Sequence, residues 1–338
     1  MKFDYYLLNS YAPEADGDGP ALYAKWIEQV LAAEELGYEC AWFTEHHFYA
    51  FGGMLPNPPL LMAALAQRTS RIRLGTAVTI LPFYNPVRVA EDVAMLDILS
   101  NGRIDVGLGR GMGAQYFDVF GADTETSQEK FAEQLAMLRL AWGDEPLRWE
   151  GKFFHSPNPI NVIPKPVQRP HPPLWIPASR DPAHAREIGQ DGMNLMTLPW
   201  FPSTFAVTRK VVDAYRAGIH EARRDGGQVM GYLSAYVGET PDRARREAIP
   251  YWERARQISE EYRGRPDENP LTYDIAAASG RAIFGDPEMC RKHVERVRDE
   301  IGLDRLALRF DFGGLPQPLV LASMRLFARE VAPYVSGG

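Results

Sequence analysis

Cysteine is scarce in this 338-residue chain, where only Cys40 and Cys290 occur, far apart. Two such thiols build neither a disulfide framework nor a CxxC metal or redox motif, so a reducing cytoplasm is the expected compartment. Basic charge is also short, because 37 Lys and Arg stand against 44 Asp and Glu for a net charge of −7. General nucleic-acid binding leans on a positive surface and is excluded on that ground. No apolar run approaches the roughly 20 residues of a membrane helix. The opening MKFDYYLLNSY is too polar for a signal peptide. Seven histidines are present, but none sits in HxH or HExxH spacing, so no metal site is expected. A GxSxG nucleophile elbow is missing too, which argues against a serine hydrolase.

What remains is an ordinary globular composition, 45% hydrophobic and 24% charged, with 29 Gly and 27 Pro spread along the chain. Short β-rich runs alternate with amphipathic stretches from end to end. Strands are predicted at 2–8, 40–45, 72–80, 104–108, 174–178, 194–197, 229–237 and 305–312. Helical periodicity lies between them, as in Leu22, Trp26, Val30 and Ala33, closed by Gly37. Further helices fit 59–68, 87–99, 127–142, 203–223, 241–259 and 287–301. Eight strands, each followed by a helix, predict an α/β fold of the (β/α)8 TIM-barrel type, with an open doubly wound sheet as the rival. No composition shift divides residues 1–338, so one elaborated barrel domain is expected. Insertions are placed at about 144–173 and 263–286, the second read as a lid.

Barrel chemistry sits just past the C-terminal ends of the strands. Past the second strand comes Glu45-His46-His47-Phe48, whose adjacent histidines point to opposite faces, so one of them faces the barrel mouth. The plain alternative makes both histidines structural. Past the fourth comes Gly107-Leu108-Gly109-Arg110-Gly111, a loose glycine-rich turn. There backbone N–H groups and Arg110 could hold an anion, or the glycines could simply relieve crowding. After the fifth, Ser179-Arg180-Asp181-Pro182 opens a helix, so Ser179 or Asp181 could cap it, and its free N–H groups make a second anion-favouring spot.

Taken together these motifs resemble the bacterial luciferase-like flavin monooxygenases, nearest the luciferase α-subunit branch. The resemblance runs nearly full length, through Asn57-Pro58, Leu74-Gly75-Thr76-Ala77, Asn85-Pro86-Val87-Arg88, Ser100-Asn101-Gly102-Arg103 and Gly285-Asp286-Pro287-Glu288. It implies a (β/α)8 barrel that takes reduced FMN from a separate flavin reductase and uses O2 to oxidise a small apolar or aromatic substrate. His46 would be catalytic, a histidine titrating near neutrality that manages protons. Arg110, Ser179 and Arg180 would bind the FMN phosphate. Thr76, Ala77 and Val78 would lie beside the flavin ring, with a cis peptide between Ala77 and Val78. The same resemblance implies a homodimer, with a heterodimer as the alternative. Gly109 stands where luciferase has a reactive cysteine and Gly113 where it has a tyrosine, which implies a non-luminous relative. Two other readings stay open, a deazaflavin-dependent hydride transferase and a non-catalytic flavin-binding protein.

Overall fold

The hydrophobic runs become eight parallel strands, β1 to β8, in a computed structural model that describes residues 1–111, 113–200, 204–266 and 270–335. They are β1 (Lys2–Leu7), β2 (Cys40–Phe43), β3 (Arg73–Thr76), β4 (Ile104–Gly109), β5 (Leu174–Pro177), β6 (Asn194–Thr197), β7 (Val229–Val237) and β8 (Arg305–Arg309). Each pairs with the next in order, and β8 pairs with β1, so the sheet closes into a barrel. An open sheet would leave β1 or β8 as an edge. Helices cover the outside: α1 (Gly19–Glu35), α2 (Pro58–Ala66), α3 (Pro86–Leu99), α4 (Ser127–Trp142), α5 (Pro182–Gln190), α6 (Phe205–Glu221), α7 (Pro241–Arg263), α8 (Pro287–Ile301) and α9 (Gln317–Leu326). The expected helix at 203–223 begins at Phe205, and Ser203 lies outside the described residues.

Strand alternation sorts the side chains into two cores. Leu7, Ala41, Phe43, Leu74, Val106, Leu195 and Leu308 face outward into the helix layer. Tyr6, Trp42, Trp175, Met196, Tyr232 and Ala307 face inward and pack together inside the barrel. Trp42 and Trp175 meet edge to face, ring centroids 5.2 Å apart. Each indole N–H donates to a buried carboxylate, Trp42 to Asp4 at 2.9 Å and Trp175 to Asp105 at 2.8 Å. Arg305 forks onto Asp4 at 2.6 and 2.8 Å, and Arg73 pairs with Asp105. These four charges sit near the N-terminal ends of their strands, so two pinned indoles stopper the barrel from below. Its polar mouth lies at the opposite end.

The glycine run of β4 is first a packing device. A Cβ on Gly107 would stand 2.0 Å from the Thr76 carbonyl oxygen and 2.9 Å from Met196 Cε. Backbone that close cannot move aside without disturbing both strands, so Gly107→Ala is expected to destabilise the fold by about 3 kcal/mol or more, read as a lowered urea midpoint.

Three expectations change. The run 72–80 is not one strand: β3 stops at Thr76, Ala77–Val78 is a cis peptide, and Thr79–Ile80 resumes pairing against Leu108 and Gly109. The expected insertion at 144–173 carries an antiparallel hairpin of Leu147–Glu150 with His155–Ile160. The segment 263–286 is largely structured. Residues 267–269 lie outside the described residues, but Tyr273–Ser279 is helical and Ala282–Gly285 pairs in parallel with Ser234–Val237, the second half of β7. Four buried residues between Arg281 and Asp286 are too short to show alternation, and the polar neighbours masked them.

Candidate active site

Just past β2 the chain splits its paired histidines as the alternation requires. His47 turns toward the helices, where Glu45 Oε1 lies 3.2 Å from its Nε2 and the rings of Phe120 and Tyr116 stand 4.6 and 5.4 Å away. That carboxylate is buried and fully engaged: the Ile80 N–H donates to its Oε2 at 3.0 Å and the Tyr84 hydroxyl to its Oε1 at 2.9 Å. Glu45 and His47 therefore tie the end of β2 to the segment following the cis peptide. Their role is structural.

His46 turns the other way, into the barrel mouth. Its ring lies against Phe51, which packs on the inward cluster, with centroids 5.3 Å apart, and against Tyr262 from the last turn of α7 at 6.0 Å. Phe51 and Tyr262 stack on each other at 5.1 Å and 22°. Gly52 makes this approach possible, since a Cβ there would fall 2.5 Å from His46 Cδ2. The His46 Nδ1 is sealed from solvent with no hydrogen-bond partner among the described residues. Burial, and secondarily the neighbouring His47, push its pKa down to about 4. This corrects the expectation of a near-neutral titration: His46 is a neutral imidazole across the physiological range, able to accept a proton or a hydrogen bond.

The other sequence-assigned residues gather around the same mouth with different degrees of engagement. Thr76 is buried, and its hydroxyl is already occupied, donating to the Gly107 carbonyl at 2.8 Å and accepting the Gly107 N–H at 3.0 Å. Ala77 and Val78 are half-buried against the inward aromatic cluster, and the Ala77 carbonyl accepts from the Tyr6 hydroxyl at 3.3 Å. Arg110 is exposed at the end of β4 and has no ion pair among the described residues. Ser179 Oγ accepts the Leu198 N–H at 3.0 Å, which leaves its own hydrogen to donate, and Arg180 is exposed beside it. Of the two expected capping candidates Asp181 caps α5, accepting from Ala183 and His184 at 2.9 and 3.2 Å, so two of the leading N–H groups expected to favour an anion are already taken.

Sequence reasoning missed Tyr262, which sits in a polar stretch and reaches the site only through the length of α7. Its hydroxyl lies 3.6 Å from where a Cβ on Gly113 would stand, so α7 supplies an aromatic ring beside the position where the luciferase branch has a tyrosine. Also missed were Asn9, Ser10 and Arg309, at the ends of β1 and β8. The available signal was the alternation Arg305, Ala307, Arg309, which puts charge on the face of a strand otherwise destined for the interior.

A planar, partly anionic cofactor fits these residues. The mouth is walled by flat aromatic rings, holds a buried imidazole nitrogen in want of a partner, and is edged by the exposed cations Arg110 and Arg180. Among the described residues no three His, Cys, Asp or Glu side chains gather in a way that could hold a metal ion.

Residues 1–305 match the family described as luciferase-like monooxygenase. The flavin-dependent trigonelline monooxygenase, oxygenase component, of Acinetobacter baylyi is 34% identical over 53% of this chain and 49% of its own length. Among solved structures, the monooxygenase RslO1 from Streptomyces bottropensis superposes with a TM-score of 0.90 at 28% identity, covering 99% of both chains. The oxygenating constituent of 3,6-diketocamphane monooxygenase from the CAM plasmid of Pseudomonas putida, a type II Baeyer-Villiger monooxygenase in complex with FMN, shares the fold. Its TM-score is 0.82 at 18% identity, over 98% of each chain. F420-dependent enzymes have the same fold at 19% and 20% identity, with TM-scores of 0.71 and 0.73.

Proposed function

The chain belongs to the luciferase-like monooxygenase family, an oxidoreductase by that kinship, and from this premise we propose that it is the oxygenase component of a two-component, FMN-dependent monooxygenase. It receives reduced FMN from a separate reductase, consumes O2 and oxidises a small apolar or aromatic molecule. The observation that carries this reading is His46: a neutral, half-buried imidazole whose Nδ1 is sealed and free of a partner among the described residues, at the barrel mouth against Phe51 and Tyr262.

FMN bound there would supply the redox chemistry that activates O2. The protein does the rest. Arg110, Arg180 and the Ser179 hydroxyl hold the phosphate through charge-assisted and neutral hydrogen bonds, while Ala77 and Val78 back the ring. Thr76 acts one step removed, fixing β3 to β4 through Gly107. Phe51 and Tyr262 exclude water and offer apolar walls to substrate. His46 Nδ1 accepts a proton or hydrogen bond from whatever polar group the reaction brings against it.

The test is to mix anaerobically reduced FMN with the protein, admit O2 and follow both flavin reoxidation and substrate oxidation. Reoxidation slower than that of free flavin, with oxygen incorporated into an added aromatic or cyclic ketone, supports the reading. Tight binding of deazaflavin with no use of O2 would replace it with the hydride-transfer alternative, whose fold is the same. Binding of FMN without any turnover would leave a flavin-binding protein. For the phosphate, Arg110→Ala is expected to weaken FMN binding about 10- to 100-fold in fluorescence titration, the loss of one charge-assisted contact. Equal affinity would place the phosphate elsewhere.

A homodimer is part of the same proposal. Leu60 on α2 and Met95, Ile98 and Leu99 on α3 are exposed apolar side chains of two packed helices. Light scattering of the purified protein decides it. Both thiols are free and buried, which suits a reducing cytoplasm. No helix among the described residues is long and apolar enough to cross a membrane.

A further inference from the structure

The barrel contains two arginines that are almost wholly buried, and they are provided for very differently. Arg305, 4% exposed, forks onto the Asp4 carboxylate at the stoppered end. Arg309, 5% exposed, lies four residues further along the same inward face, toward the mouth. Its Nη2–H donates to Ser10 Oγ at 2.5 Å and its Nε–H to the Asp311 carbonyl at 3.1 Å. Both acceptors are neutral. The nearby Asp311 carboxylate is turned away, accepting from Lys25 at 3.0 Å and from Gln29 at 3.0 Å. No carboxylate pairs with Arg309 among the described residues.

A buried guanidinium without a counter-ion is costly, because the lost hydration is not offset by Coulomb attraction. Proteins pair such groups unless a ligand brings the opposite charge. The surroundings of Arg309 are unsatisfied in the same way. Asn9, 5% exposed, has neither side-chain amide atom hydrogen-bonded among the described residues. Its backbone carbonyl accepts the Gly52 N–H at 2.9 Å, and Ser10 forms a backbone bridge with Phe51, the residue whose ring lies against His46. The ends of β1, β2 and β8 thus place an unpaired cation, an unpartnered amide and an unpartnered imidazole nitrogen around one mouth.

We propose that Arg309, with Ser10 and Asn9, forms a subsite for an anionic oxygen or nitrogen of a small molecule bound in the barrel mouth. Two molecules carry that chemistry. One is the reduced flavin ring, anionic near neutral pH, and for this source the proposal rests on the FMN reading. The other is a substrate bearing a carboxylate, for which it does not. In either case Arg309 recognises charge, and His46 handles protons at the same mouth.

Variants Arg309→Gln and Arg309→Lys separate these sources. Flavin-free protein is titrated calorimetrically with benzoate, and separately with oxidised FMN and, under anaerobic conditions, with reduced FMN. If the flavin ring is the anion, Arg309→Gln weakens reduced-FMN binding about 10-fold or more while oxidised-FMN affinity stays within about 2-fold. If a substrate carboxylate is the anion, benzoate binding falls by a similar factor and both flavin affinities hold. Arg309→Lys, which keeps the charge but loses the fork, recovers part of the affinity in either case. A folded Arg309→Gln protein, verified by circular dichroism, that binds all three probes like the parent would make Arg309 a structural tie and overturn the proposal. Should the parent bind neither form of FMN, the FMN reading fails and the benzoate titration alone decides; no benzoate binding then overturns this proposal as well.

Discussion

Replacing His46 with Ala is expected to lower turnover by about 100-fold or more while FMN affinity changes by no more than about 3-fold. The asymmetry follows from where the ring sits. Its neighbours are Phe51, Tyr262 and Gly52, and the residues assigned to the phosphate lie past β4 and β5, so its loss removes a proton acceptor without removing a charge that holds the cofactor. The depressed pKa fixes the shape of the pH profile. An imidazole pushed down to about 4 loses its function only as pH falls through that value, so activity that depends on it is flat above about pH 5. An acid limb near pH 6.5 that disappears in His46→Ala would mean that the ring is hydrated in the working enzyme. Turnover unchanged in the variant would remove His46 from the chemistry altogether.

The second large effect concerns stability. Asp4→Ala is expected to destabilise the barrel by about 3–5 kcal/mol, seen as a fall in the urea midpoint. The carboxylate accepts two hydrogen bonds from Arg305 and one from Trp42, all inside the barrel. Without it a buried guanidinium keeps only its 3.4 Å hydrogen bond to Gln228 Oε1, with no counter-charge from Asp4, and the Trp42 indole N–H loses its acceptor. The further replacement Arg305→Met in the same chain should recover much of the loss, since what hurts is the orphaned charge more than the missing pair. Equal loss in the single and double variants would show that the Asp4 contacts themselves carry the stability.

The barrel was legible because its signals are local. Eight apolar runs bounded by turn residues, and helices such as α1 with Leu22, Trp26 and Val30 on one face, need no knowledge of distant partners. The strand Ala282–Gly285 escaped because its four residues become a strand only by pairing with β7. At the site, alternation was enough to separate His46 from His47. It could not say that burial would strip His46 of its ordinary titration, because that depends on Tyr262, more than two hundred residues later. Of the two readings of the glycine run at the end of β4, relief of crowding holds for Gly107, which the Thr76 carbonyl requires, a constraint between neighbouring strands that the motif alone does not specify. The cis peptide at Ala77–Val78 could come only from the family resemblance.

The stopper of Trp42 and Trp175 also governs traffic. A tube closed at one end has a single door, so whatever reacts inside must arrive, turn over and depart through the same opening beneath Tyr262. Under the proposed function cofactor and substrate share that opening, and the first to enter becomes the floor on which the second rests. On that proposal the order of arrival and release follows from the architecture, and steady-state kinetics should show a compulsory sequence with product competing against only one of the two incoming molecules.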